Sequence, residues 1–196
     1  MSENPGSFEK AINLIDQYNH EDPNHEVWQG ESYPKEFLYS QRMSECLNDF
    51  APNATLPLRI AARAQHIGRW KIPRSEYPDD RKGYLKWRND LKAMHASITA
   101  EILQKSDFSK AFIEEVSDLI QKKNLKKNPD TQTLEDVICL VFLKYYLEDF
   151  SRKKDDSKLI EILKKTWRKM SAEGQKAAAT LSLPARVNQL INKALA

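Results

Sequence analysis

Two of the chain's four histidines, His66 and His95, stand among residues that could share chemistry with them. Arg59, Arg63, His66 and Trp70 follow i, i+4, i+7 and i+11, and Tyr84, Arg88, Leu91 and His95 repeat that spacing. On helices each series makes one stripe, and two such helices packed antiparallel line a shared cleft. Imidazole suits acid–base work or metal ligation, and guanidinium suits bidentate contact with phosphate. In the competing reading Trp70, Tyr84 and Leu91 are core, the arginines snorkel to water and both imidazoles are hydrogen-bonded spectators.

Charge gathers at the same place. From Arg59 to Lys92 ten Lys and Arg stand against four acids, a local +6 in a chain of net charge +3. Such an excess points to an anionic partner, either a phosphorylated small molecule or RNA. Arg42, Arg63, Arg69 and Arg88 are the candidate phosphate-binding groups, with Tyr84 and Trp87 as aromatic contacts for the same substrate. Glu135 and Asp136 precede VICLVFL, the most apolar stretch, and a carboxylate turned inward there needs a metal, an arginine or a proton. Alternatively, Thr133 and Asp136 form a capping box. NHEDPNH, with His20 and His25, reads as a surface loop in which EDPN can cap a turn near the cleft. KTWRKMS, Lys164 to Ser171, is a further basic and aromatic knot that either serves a phosphate or edges the core with Trp167.

Helices must position these groups. Only five glycines occur and no segment keeps a two-residue alternation, so the fold reads as all-α. Helices are expected over about Ser7 to Tyr18, Lys35 to Phe50, Pro57 to Trp70 with Thr55 as N-cap, and Arg81 to Lys105. Further helices cover about Phe108 to Lys123, Pro129 to Phe150, Lys158 to Met170, Ala172 to Leu181, and from Ala185 onward. Asn19 to Pro34 reads as an ordered loop carrying Trp28, and the charge run Arg152 to Lys158 as a solvated connection. A chain of 196 residues, 40% hydrophobic, can bury a core as one domain. A pI near 8.7 argues against a protein that coats nucleic acid over its whole surface. Cys46 and Cys139 lie in apolar helical patterns, as buried thiols of a reducing, cytoplasmic compartment do. MSENPGSFEK lacks the features of a secretory signal, and the longest apolar run, Val137 to Leu143, falls far short of the roughly 18 residues of a membrane span.

Short strings resemble known signatures. HIGR at His66 to Arg69 and KMSAEG at Lys169 to Gly174 are similar to the two signatures of class I aminoacyl-tRNA synthetases, but those work on a Rossmann-type sheet. Without alternating strands and helices, synthetase activity is not expected. LYSQRM (Leu38 to Met43), AARAQHIGRWKIPRSEYP (Ala61 to Pro78), GYLKWR (Gly83 to Arg88), LEDVICLVFL (Leu134 to Leu143) and KTWRKMS resemble a family of bacteria and fungi catalogued as domain of unknown function 4202 and sometimes labelled glutamyl-tRNA synthetase-like. More distantly, the helix order resembles the HD superfamily of metal-dependent phosphohydrolases. That resemblance implies a single HD-like helical domain. In it QHIG at Gln65 to Gly68 replaces the His-Asp pair, His95 stands for a later histidine, and Glu135 or Asp136 stands for the final acid. The first histidine's place falls in Tyr39-Ser40-Gln41-Arg42, which has none. A divalent zinc, manganese or iron held by His66, His95 and Asp136 is one expectation, with His66, His95, Glu135 and Asp136 as catalytic groups. A metal-free site of arginines is the other. The expected function is hydrolysis or binding of a phosphorylated small molecule, a nucleotide in particular. The alternative is an RNA- or tRNA-binding module using residues 59–92.

Overall fold

The computed structural model describes residues 5–152 and 155–195, so Met1 to Asn4 of the opening segment and Lys153-Lys154 of the charge run lie outside the described residues. The helices are α1 (Pro5–His20), α2 (Lys35–Phe50), α3 (Leu56–Arg63), α4 (Arg81–Lys105), α5 (Lys110–Ile120), α6 (Pro129–Val141), α7 (Leu147–Ser151), α8 (Asp156–Lys169), α9 (Ala172–Ala179) and α10 (Ala185–Leu195). A π turn, Phe142–Tyr146, joins α6 to α7. The fold is predominantly α-helical, as expected. Its helix starts follow capping chemistry, since the side chains of Thr55, Asp80, Ser109, Asn128, Asp155 and Ser171 each accept from a first-turn amide.

Two apolar clusters hold the helices together. Ile15, Met43, Leu47, Leu58, Leu103 and Leu119 are among those centring the first, and Leu143, Leu147, Leu159, Leu163 and Leu190 are part of the second. Helix α6 belongs to both, through Leu134, Val137 and Val141 on one side and Cys139 and Leu140 on the other. This explains why VICLVFL is apolar all round rather than along one stripe. No helix among the described residues is long and apolar enough to cross a membrane.

The segment expected as a loop before α2 instead contains an antiparallel hairpin of β1 (His25–Trp28) and β2 (Glu31–Pro34), paired Glu26 to Tyr33 and Trp28 to Glu31. Its turn residues Gln29 and Gly30 both have positive φ, 52° and 86°, which matches the twist of a two-residue hairpin.

The second departure matters more for function. Helix α3 ends at Arg63 rather than Trp70, and the chain continues through successive tight turns, Ile67 to Ala64, Arg69 to His66 and Lys71 to Gly68. Gly68 adopts a left-handed φ of 68°, its amide donating to Asn19 Oδ1 at 3.4 Å. His66 is therefore carried by this turn and does not share a helical stripe with Arg59 and Arg63. A Cβ at position 68 would sit 3.0 Å from both Ile98 Cδ1 and Tyr18 Cε1. Gly68→Ala should lower stability by about 1–2 kcal/mol from the backbone alone, more with the crowding, read as a lower urea midpoint at unchanged slope.

Candidate functional site

Helix α2 begins beside His66. Its first turn is held by Asp22, which accepts from the Glu36 amide at 3.0 Å and from the Asn24 amide at 2.9 Å, so EDPN does cap a turn. That fixes Glu36, whose carboxylate lies 3.2 Å from His66 Nδ1 and 3.8 Å from Arg69 Nε. Arg69 donates to His66 Nε2 at 3.4 Å, so the proton of the neutral ring sits on Nδ1 and points to Glu36. Tyr39 stacks on the same imidazole, centroids 3.9 Å apart and planes 11° from parallel. Tyr39 thus packs on His66 in the stretch where the HD resemblance lacks its first histidine. Trp87 lies under the Arg69 guanidinium at 4.9 Å and donates its own indole N–H to Ile72 O, which holds both in place.

His95 lies 6.0 Å from His66, ring to ring, so the structure does bring the two together. They are differently placed, however. His95 is 2% exposed, gives its Nδ1 proton to Ile67 O at 2.6 Å and leaves Nε2 enclosed without a partner. His66 keeps a side-chain exposure of 21% and can be reached.

Glu135 is 3% exposed, caught between Lys122 Nζ at 2.5 Å and Lys169 Nζ at 3.5 Å. Lys122 sits in the left-handed region at φ 58°, an unfavourable conformation for a side chain, in a turn that sends its ammonium inward. Asp136 faces another way. Its carboxylate accepts from the Ser171 amide at 2.8 Å, the Ser171 hydroxyl at 2.6 Å and Gln132 Nε2 at 3.2 Å, which fastens the start of α9. The capping box expected for Asp136 is replaced by capping of a different helix, because α6 starts earlier, at Asn128.

The expected metal ligands therefore do not form a set. Asp136 is committed to Ser171, and no group of three or more His, Cys, Asp or Glu among the described residues is placed to hold a metal. His20 and His25 are exposed, each beside a backbone carbonyl, and add nothing to such a site.

Cations gather instead. Arg88 and Lys92, one turn apart on α4, are both half-buried, and their side chains have no hydrogen bond or ion pair among the described residues. Burial lowers the Lys92 pKa, Arg88 and Lys169 lower it further as like charges, and Glu135 works against them. Burial also drives His66 well below its ordinary pKa, helped by Arg69, Arg88, Lys122 and Lys35. Burial pushes Glu36 up to about 7 despite Arg69 and Lys35. Burial tends to raise Glu135, but Lys122 and Lys169 outweigh it and leave the carboxyl lowered. Arg69, Arg88, Lys92, Lys122 and Lys169 thus share two buried acids.

Other expected contacts lie elsewhere. Arg63 makes a two-pronged pair with Asp16 at 2.6 and 2.7 Å, and Arg42 is enclosed beneath the hairpin. Of the four candidate arginines, Arg69 and Arg88 lie at the histidine site, and Arg42 and Arg63 do not. Tyr84 is exposed and leans on Trp87 at 5.9 Å. Glu36, Lys92 and Lys122 join the site without belonging to the candidate residues expected from the sequence. Lys92 was readable at i+4 from Arg88, whereas Lys122 left no signal.

Fold and site together define a predominantly helical protein with a cationic, histidine-bearing patch. The chain belongs to the family described as Domain of unknown function (DUF4202), which matches residues 9–191. No curated protein and no solved structure matches it.

The buried groups make stability depend on pH. His95 stays neutral in the fold to about pH 3, while the unfolded ring takes its proton near 6.5, so the unfolded state binds more protons between these values and stability falls as pH drops through that window. His66 acts in the same direction. Glu36 opposes them, being protonated in the fold up to about pH 7 and unfolded only below 4.5, so its share grows as pH falls between those values. With two histidines against one carboxyl, stability should fall from pH 6 to 4. His95→Gln should flatten that slope by up to about 1.4 kcal/mol per pH unit, measured by urea melts at stepped pH.

Proposed function

We propose that this protein binds a phosphorylated small molecule, a nucleotide in particular, at the patch formed by Arg69, Arg88, Lys92, Lys122 and Lys169 around His66. One observation carries the reading: Arg88 and Lys92 are half-buried one turn apart with no ion pair among the described residues, and the acid that acts on Lys92, Glu135, is already shared by two lysines. Like charges held close together and partly desolvated disfavour the unliganded protein, and a phosphate oxygen cluster supplies the missing acceptors. Arg88 offers planar, bidentate donors, and the lysines add point charges. Any hydrolysis of the bound group would draw on Glu36 and His66, an acid poised near neutral pH beside an uncharged imidazole. The RNA-binding alternative has less support: Trp87 is 8% exposed with its indole N–H bound to Ile72, and Arg74 is bonded to Tyr77 O and Pro78 O.

Thermal melts with inorganic phosphate, pyrophosphate and a nucleotide panel test the reading. At a ligand concentration of 100 Kd the stabilisation should reach about 2.7 kcal/mol. Arg88→Gln should abolish most of it and raise the melting temperature of the free protein, because a repulsion has been removed. An unchanged ligand response in Arg88→Gln would sink the proposal, as would a variant that binds tRNA but never a small phosphate.

A further inference from the structure

A second site lies on the neighbouring face of α2, where the hairpin folds back over Arg42. The cross-strand pairs place Glu26, Trp28, Glu31 and Tyr33 on one face of the hairpin, and Glu26 and Trp28 both meet Arg42. Opposite, the π turn turns both Tyr145 and Tyr146 toward the same guanidinium, at 4.6 and 5.2 Å, with Trp28 at 4.5 Å. A π turn is an uncommon insertion in a helix and often marks a functional position. Arg42 is 2% exposed, and its Nη1 donates to Glu26 at 2.6 Å and to the Tyr146 hydroxyl at 2.8 Å. Its charge is paired with Glu26 through Nη1, while its Nε and Nη2 are enclosed without a partner, so it forms a floor beneath the rings.

Above this floor is a cavity of about 310 Å³, walled by Trp28, Tyr33, Phe37 and Tyr145. Gln29, Gln41 and Glu45 also line it, and none of their side chains has a hydrogen bond or ion pair among the described residues. Flat ring walls favour a flat ligand, and the volume lies at the lower end of small-molecule sites. Two amides can both donate and accept, while the Glu45 carboxylate only accepts. The ligand must therefore present N–H groups at its edge and carry no negative charge there.

We infer that this cavity binds an aminated planar nitrogen heterocycle, that is, a nucleobase with an exocyclic amine, using the aromatic walls for stacking and Glu45 with the two glutamines for its edge. The inference needs no phosphate, so it stands apart from the cationic patch. Helix α2 turns Glu36 and Tyr39 to that patch and Phe37, Gln41 and Glu45 to this cavity.

Nucleosides test it, because they carry the ring without the phosphate. In saturation-transfer NMR, adenosine, guanosine or cytidine should receive magnetisation from the protein, and uridine, which lacks the exocyclic amine, should bind at least tenfold more weakly. Glu45→Gln changes an exposed side chain and should weaken binding at least tenfold at unchanged melting temperature. Trp28→Ala should abolish binding, with Gln41→Ala as a second probe should the hairpin loosen. Arg88→Gln should leave nucleoside binding intact, which separates this site from the phosphate patch. Absence of transfer to all four nucleosides, uridine binding equal to the rest, or binding that survives Glu45→Gln but is lost in Arg88→Gln would each overturn the inference.

Discussion

Too much positive charge for the available acids is the constraint on which the site depends. Glu36 and Glu135 are buried by the same packing that draws Arg69, Arg88, Lys92, Lys122 and Lys169 around them, and two carboxylates cannot neutralise five cations. The protein divides the problem. Glu135 takes two lysines, while Glu36 is left with Arg69 and an imidazole that remains uncharged. A buried charge without a partner is costly, so this arrangement persists because apolar clusters on both sides of α6 hold the helices in register.

Different parts of the chain meet at the patch for different local reasons. Arg88 and Lys92 come from α4, a continuous helix of 25 residues whose periodicity brings successive turns to one face. His66 and Arg69 come from a turn that a left-handed glycine makes possible, and Lys122 from the left-handed end of α5. Lys169 arrives at the last turn of α8, where a cation also complements the helix dipole. Neither strand contributes, which separates the hairpin's role from that of the helical patch.

Much of the helical frame was legible in the sequence because capping residues and prolines mark its ends. Thr55, Pro129 and the long run after Arg81 stand where the spacing places them. Proximity of His66 and His95 was also readable, although through the wrong intermediate, since a stripe from Arg59 through Trp70 assumed a helix that stops at Arg63. The turn that replaces it depends on Gly68 meeting Asn19, Tyr18 and Ile98, contacts from distant parts of the chain that local pattern cannot foretell. Gln29-Gly30 between two four-residue strands is a hairpin signal, but acidic and polar neighbours mask the alternation that usually accompanies it. Asp136 was misplaced for a similar reason: its partner lies 35 residues away, so a local capping box looked sufficient.

That distant partnership bears on which substitutions the start of α9 can accept. Gly174 lies so close to Asp136 that a Cβ there would fall 2.6 Å from the carboxylate, while Ser171 both bonds that carboxylate and caps the helix in which Gly174 sits. Positions 136, 171 and 174 therefore form one steric unit, in which a side chain at 174 would displace the carboxylate that holds Ser171. The serine and glycine of KMSAEG each meet a demand of this helix start, one by hydrogen bonding and the other by leaving room, which gives both residues a structural reason independent of any signature.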